Sequence, residues 1–176
     1  SYDYFGKRLI KRDEQGVEYD DNGERAIFFA RGVLETVKKL RWVPDIIHCQ
    51  GWMSGVVPFY IKTAYSDEPS FAETKVVTSL YDKTLQKDFG GDFKQFLEFR
   101  DAKASLLGDY KDTFDFDELN KLAIDYSDGV IQAVPGVEKQ LLDYATAKNI
   151  PLLGYHEDFA DAYETFYESL YPNEAE

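Results

Sequence analysis

Basic residues are scarce in this sequence. Twenty lysines and arginines face 33 aspartates and glutamates, a formal net charge of −13 over 176 residues. Phosphate backbones and anionic membrane surfaces are held by Lys and Arg displacing counterions, so this balance excludes nucleic acid and acidic lipid as natural partners. Cysteine is almost missing too. The single Cys49 forms no internal disulfide, which suits a reducing cytoplasm. No apolar run approaches the roughly 20 residues of a membrane helix, and the opening Ser1-Tyr2-Asp3-Tyr4 has neither the basic flank nor the apolar stretch of a signal peptide. The chain also has no initiator Met. The Gly-x-Gly-x-x-Gly fingerprint and the Gly-x-x-x-x-Gly-Lys-Ser/Thr phosphate loop are both absent, so neither mechanism of nucleotide binding is supported.

What is present is enough to fold. Hydrophobic residues make up 44% and aromatics 16%, with 13 Tyr and 13 Phe against one Met, which predicts a core and clefts rich in rings. Length alone suggests one domain, since single domains run to roughly 100–200 residues.

Helical spacing of Ile27, Val33, Leu34, Val37 and Leu40 predicts a helix opening at Asp21, with Glu24 completing an Asp-x-x-Glu capping box. Residues 46–49 then read as a strand, and Met53, Val56, Val57, Tyr60, Ile61 and Ala64 as a second helix running to about Tyr65. A strand over 75–80 follows, then a poorly regular stretch over 82–116 with helix near Phe93. The remainder reads as helix 117–126, strand 129–134, helix 137–147, strand 151–154 and a closing amphipathic helix from Phe159 to Leu170. This alternation predicts an α/β fold, a parallel sheet with helices on both faces. Ligands of such sheets sit outside the carboxyl ends of the strands. That rule points to Gln50-Gly51-Trp52, Tyr81-Asp82-Lys83 and Pro135-Gly136.

Other chemistry-bearing residues read as structural. His48 and Cys49 are adjacent on a strand and point to opposite faces, which makes a poor nucleophile and base pair. The acidic run Asp109, Asp112, Asp115, Asp117 and Glu118 lacks the spacing of a calcium loop and reads as a turn capping the next helix. His156 has no metal-ligand partner at a recognisable spacing, and neither metal nor cofactor is expected. Trp52 has two readings, core packing or a platform for the apolar face of a sugar ring, and Tyr81 at the neighbouring corner shares them.

Pro44-Asp45-Ile46-Ile47-His48-Cys49-Gln50-Gly51-Trp52-Met53-Ser54-Gly55-Val56-Val57-Pro58 resembles the Pro-Asp-hydrophobic-hydrophobic-His-x-His-Asp-Trp-x-x-Gly segment of bacterial glycogen and plant starch synthases. Tyr19-Asp20-Asp21-Asn22-Gly23-Glu24-Arg25 is similar to the same family's Tyr-x-Asp-Asn-x-x-Arg segment. Lys75 to Asp82 resembles its Lys-Val-Val-x-Thr-Ile-His-Asn strand, and Asp128 to Pro135 its Ala-Asp-x-Val-x-Thr-Val-Ser-Pro strand. The four segments occur in the family's order.

The resemblance implies the Rossmann-like N-terminal domain of a GT-B type retaining glucosyltransferase, which moves glucose from ADP-glucose to an α-1,4-glucan in glycogen biosynthesis. It places Asp21 and Gln50 at the catalytic positions, and Asn22, Gly51, Trp52, Tyr81 and Asp82 along the substrate cleft. Gln50 stands where the family has His, Gly51 where it has Asp, and Tyr81-Asp82 where it has His-Asn. Residues 1–176 are then expected to be one α/β domain, incomplete at its N-terminus and without the C-terminal nucleotide-sugar domain. Further strands, from a longer chain or a partner, would cover the edge of strand 46–49. The alternative is a catalytically degenerate domain that binds glucan or scaffolds glycogen metabolism. A cytoplasmic location is expected, in keeping with the single cysteine.

Overall fold

The computed structural model describes residues 11–171. The expectations for Ser1 to Tyr4 lie outside the described residues. Four strands, β1 (Ile46–Gln50), β2 (Lys75–Leu80), β3 (Gly129–Gln132) and β4 (Leu152–Leu153), pair in the order β1-β2-β3-β4, and every pairing is parallel. The alternation read from the sequence thus corresponds to a parallel α/β sheet. Six α-helices accompany it among the described residues: α1 (Asn22–Lys39), α2 (Val57–Lys62), α3 (Phe93–Leu97), α4 (Phe116–Asp125), α5 (Lys139–Ala147) and α6 (Phe159–Ser169).

Side chains alternate across each strand, so each face gathers its own core. On one face Cys49 and Val76 join Ala26 and Leu34 of α1, Phe59 of α2 and Leu119 of α4, while Leu80 and Val130 meet Leu141 of α5. On the other face Val77 and Ile131 pack against Phe166 of α6, with Tyr163, Tyr167 and Leu170 alongside. Helices therefore cover both faces. The core is ring-rich as expected, and Phe59, Tyr60, Tyr65, Phe93 and Phe114 are among its largest fully buried side chains.

Two local expectations are corrected. Asp21 is the residue before α1, but its side chain makes no capping bond, because its backbone (φ −98°, ψ 19°) lies outside the extended region a capping side chain uses. The second helix is broken into a 3₁₀ turn (Trp52–Ser54) and the short α2. Pro58 lacks an amide hydrogen, so it fits a first helical turn and cannot continue a helix already running, which sets the start of α2. Where the sequence placed a cap in the acidic run, the structure has one: the Glu118 amide donates to Asp115 Oδ1 at 2.9 Å and opens α4.

Candidate functional site

The corners after β1 and β2 meet in one cleft of about 450 Å³. Its lining includes Gln50, Gly51, Trp52, Tyr81 and Asp82, together with Ser79, Thr84, Phe116, Asn120 and Lys11. Five of the seven residues singled out in the sequence are thus gathered from two separate loops. A larger hollow of about 590 Å³, lined by Glu24, Ile27, Phe28, Arg31, Gly32, Glu35 and Phe96, takes no residue from a strand end. The position rule for parallel sheets favours the smaller cleft.

Register explains why the corners meet. Gln50 is the β-ladder partner of Ser79, and both line the cleft. Immediately after it, Gly51 adopts φ 80° and ψ 170°, a conformation open in practice to glycine alone. That turn carries the chain off the strand into the 3₁₀ turn, where Ser54 Oγ donates back to the Gly51 carbonyl at 2.9 Å. Trp52 follows and is 8% exposed, packed in the main hydrophobic cluster, so the cleft meets a small part of its surface. Tyr81 is half-buried, and desolvation followed by the neighbouring Tyr163 raises its phenol above its ordinary pKa. A Cβ built on Gly136 would lie 3.6 Å from Asp82 Cβ, so the third corner adjoins the second.

The remaining wall comes from the segment before α1. Arg12 Nη2 donates to the Thr84 carbonyl at 2.9 Å, and the amides of Gln86 and Lys87 donate to the Glu18 carboxylate at 2.8 and 2.7 Å. Asn22, 3% exposed, lies behind this wall. Its Nδ2 donates to the Lys11 carbonyl at 3.0 Å and its Oδ1 accepts from Arg25 Nη1 at 2.7 Å. The amide of Asn22 therefore holds the wall from inside. Asp21 does not line the cleft, and its carbonyl accepts from the Arg25 amide at 2.9 Å.

His48 and Cys49 face opposite sides of the sheet, as their adjacency required. Cys49 is 4% exposed and burial pushes its thiol up to about 12, far from a reactive thiolate. His48 turns toward α6, where Nδ1 lies 2.7 Å from the Tyr167 hydroxyl, while Nε2 is hydrogen-bonded to Ser79 Oγ. Burial lowers its pKa. His156 is exposed, and among the described residues no group of three or more His, Cys, Asp or Glu is placed to hold a metal ion. No helix among the described residues is long and apolar enough to cross a membrane.

Sequence reasoning missed Ser79, Thr84, Phe116, Asn120 and Lys11. Ser79 carried a readable signal, being a polar residue near the end of a strand rich in branched apolar residues. The others are brought in by loops and by helix α4, for which no local pattern exists.

A family model described as the starch synthase catalytic domain matches residues 2–150. The glycogen synthase of Chlorobaculum parvum is 34% identical over 149 residues, 80% of this chain and 29% of that protein. That of Aeromonas salmonicida is 30% identical over 135 residues, 76% of this chain and 27% of that protein. That of Clostridium perfringens is 46% identical over 72 residues, 41% of this chain and 15% of that protein. The chain therefore spans between 15% and 29% of the length of these relatives.

Proposed function

This chain belongs to the starch synthase catalytic-domain family, and on that premise we propose that its cleft serves glucosyl transfer from ADP-glucose to an α-1,4-glucan in a cytoplasmic glycogen-building enzyme. The observation that carries this reading is the convergence of Gln50-Gly51-Trp52 and Tyr81-Asp82, from two family motifs, on one cleft at the carboxyl ends of β1 and β2. In this reading Gln50 hydrogen-bonds a sugar hydroxyl, Tyr81 and the exposed part of Trp52 meet the sugar ring, and Asp82 accepts from hydroxyls. Asp21 is the second catalytic candidate on its match to the family motif alone, since it does not line the cleft. A chain at −13 suits a neutral polysaccharide better than a doubly anionic nucleotide sugar. The clamp for the ADP pyrophosphate would thus belong to the rest of a longer protein. Strands from that protein or from a partner would pair with β1, whose one neighbour among the described residues is β2.

A second reading is favoured by one specific observation: Gln50 and Gly51 stand where the family motif has His and Asp. An amide cannot carry a proton as imidazole can, and a missing carboxylate beside a centre that develops positive charge removes stabilisation on the order of 3 kcal/mol. On this reading the domain binds glucan without transferring to it, and scaffolds glycogen metabolism. The two separate in one assay. The protein is purified together with the rest of the polypeptide that holds the donor and is incubated with ADP-glucose and glycogen, and ADP release and glucan extension are followed. Turnover by the unaltered protein overturns the binding-only reading. Absence of turnover with retention on amylose, and turnover gained by Gln50→His with Gly51→Asp, overturns the enzyme reading for this sequence.

A further inference from the structure

The imidazole of His48 is held at both nitrogens, by the Tyr167 hydroxyl 2.7 Å from Nδ1 and by Ser79 Oγ 2.5 Å from Nε2. The rings of Tyr163 and Tyr167 meet it edge-on, with centroids 5.6 and 5.9 Å away. Both tyrosines come from α6, which lies beyond the residues 2–150 matched by the family model. Burial favours the neutral ring. Neutral imidazole offers one N–H and one bare nitrogen, so one partner must donate and the other accept. A phenol is a much stronger acid than a neutral imidazole N–H, hence the better donor. Tyr167 therefore donates to Nδ1, and Nε2–H donates to Ser79 Oγ.

The consequence falls on Ser79. Its oxygen accepts from His48, so its own proton is left over. Ser79 is 2% exposed and lines the cleft beside its ladder partner Gln50, and its hydroxyl has no hydrogen-bond partner other than His48 among the described residues. A buried hydroxyl proton needs an acceptor, and the cleft is the open direction. With the opposite tautomer Ser79 would donate to Nε2 and present lone pairs alone.

We propose that Tyr167 is a positioning residue of the cleft which, acting through His48, makes the Ser79 hydroxyl a hydrogen-bond donor to a sugar hydroxyl oxygen bound beside Gln50. The inference rests on the glucan reading of the cleft and adds to it a contribution from α6.

The test has two independent readouts. Long-range ¹H–¹⁵N correlation spectra of labelled protein report the tautomer of His48, with the exposed His156 as internal reference. The expected result is a protonated Nε2 and a bare Nδ1, and a mixture of tautomers in Tyr167→Phe. A protonated Nδ1 in the unaltered protein, or a spectrum unmoved by Tyr167→Phe, overturns the proposal. Calorimetric titration with maltoheptaose supplies the second readout. Tyr167→Phe and Ser79→Ala are each expected to weaken binding by about 3- to 10-fold, the worth of one hydrogen bond. The double variant is expected to bind no more weakly than Ser79→Ala, because both changes remove the same donor. Additive losses overturn the proposal. Tyr163→Phe, on the same helix and against the same ring, controls for general loosening of α6. Should the unaltered protein ignore maltoheptaose yet show the Nε2–H tautomer, the glucan reading fails while the hold of Tyr167 on His48 stands. The reverse pair of results overturns the Tyr167 role and leaves the glucan reading in place.

Discussion

Gln50 and Ser79 are ladder partners at the carboxyl ends of β1 and β2, and both line the cleft. Paired strands lie about 4.8 Å apart, so an amide and a hydroxyl stand side by side at a spacing that one sugar hydroxyl can bridge. The rung before it, Cys49 and Thr78, points the other way and is buried. A slip of β1 by one residue against β2 would set Cys49 opposite Ser79 and replace the amide in the cleft by a thiol.

Gly51→Ala is expected to lower stability by about 1–3 kcal/mol through backbone strain. A Cβ there would meet nothing within 4 Å, so crowding is not the cause. Urea denaturation measures the loss, and an unchanged midpoint would show that φ 80° is not required. The same strain applies to Gly51→Asp, so the double variant with Gln50→His needs this stability control beside its activity.

Trp52→Ala should cost about 3–5 kcal/mol, as removal of a packed indole from a core does. Its 8% exposure is the reason. A loss below about 1 kcal/mol, accompanied by loss of amylose retention, would assign the ring to the cleft rather than to the core.

Gly129 is where β3 and α6 approach. A Cβ there would lie 2.9 Å from Phe166 Cζ and 3.1 Å from Leu170 Cδ1, so Gly129→Ala is expected to destabilise by about 1–3 kcal/mol. Phe166→Leu should recover part of that loss, since it removes the atoms in the way. Denaturation of the two single variants and the double variant gives the coupling, and additivity would contradict the contact.

Asp125 serves two tyrosines at once. Its Oδ2 accepts from the Tyr144 hydroxyl at 2.7 Å and also from the Tyr110 hydroxyl. Asp125→Ala leaves both hydroxyls without their acceptor and should cost about 1–3 kcal/mol, whereas Asp125→Asn keeps an acceptor oxygen and should cost less. Thermal unfolding of the two variants orders them, and equal losses would deny the hydroxyls any share.

His48 links stability to pH. Its pKa is lowered by burial from the ordinary 6.5, so between the folded value and 6.5 the unfolded chain binds more protons. Stability is therefore unaffected by this group well above pH 6.5 and is lost as pH falls through that value, until the folded value is passed. The Tm difference between the unaltered protein and His48→Asn should shift against the unaltered protein on acidification. A difference that stays flat from pH 7.5 to 5 contradicts the assignment.

Local patterns in the sequence were sufficient for the kinds and order of the elements. Branched apolar runs form strands, 3.6-residue spacing forms helices, Asp115 caps α4, and the corners after β1 and β2 carry the candidate residues. These depend on neighbours within a turn or two, so adjacent residues report them. The broken second helix was less legible, because a glycine-only backbone at Gly51 and a first-turn Pro58 overrode an apolar spacing that was helical. What only the tertiary structure decided was which side chains meet. Tyr167 reaches His48 across 119 residues of sequence. Asn22 is turned inward onto Lys11 rather than into the cleft, and Trp52 is taken mostly into the core. Each outcome depends on strand register and on which helix covers which face. Periodicity states that a residue is buried, but the partner it is buried against is chosen by the packing of the whole fold.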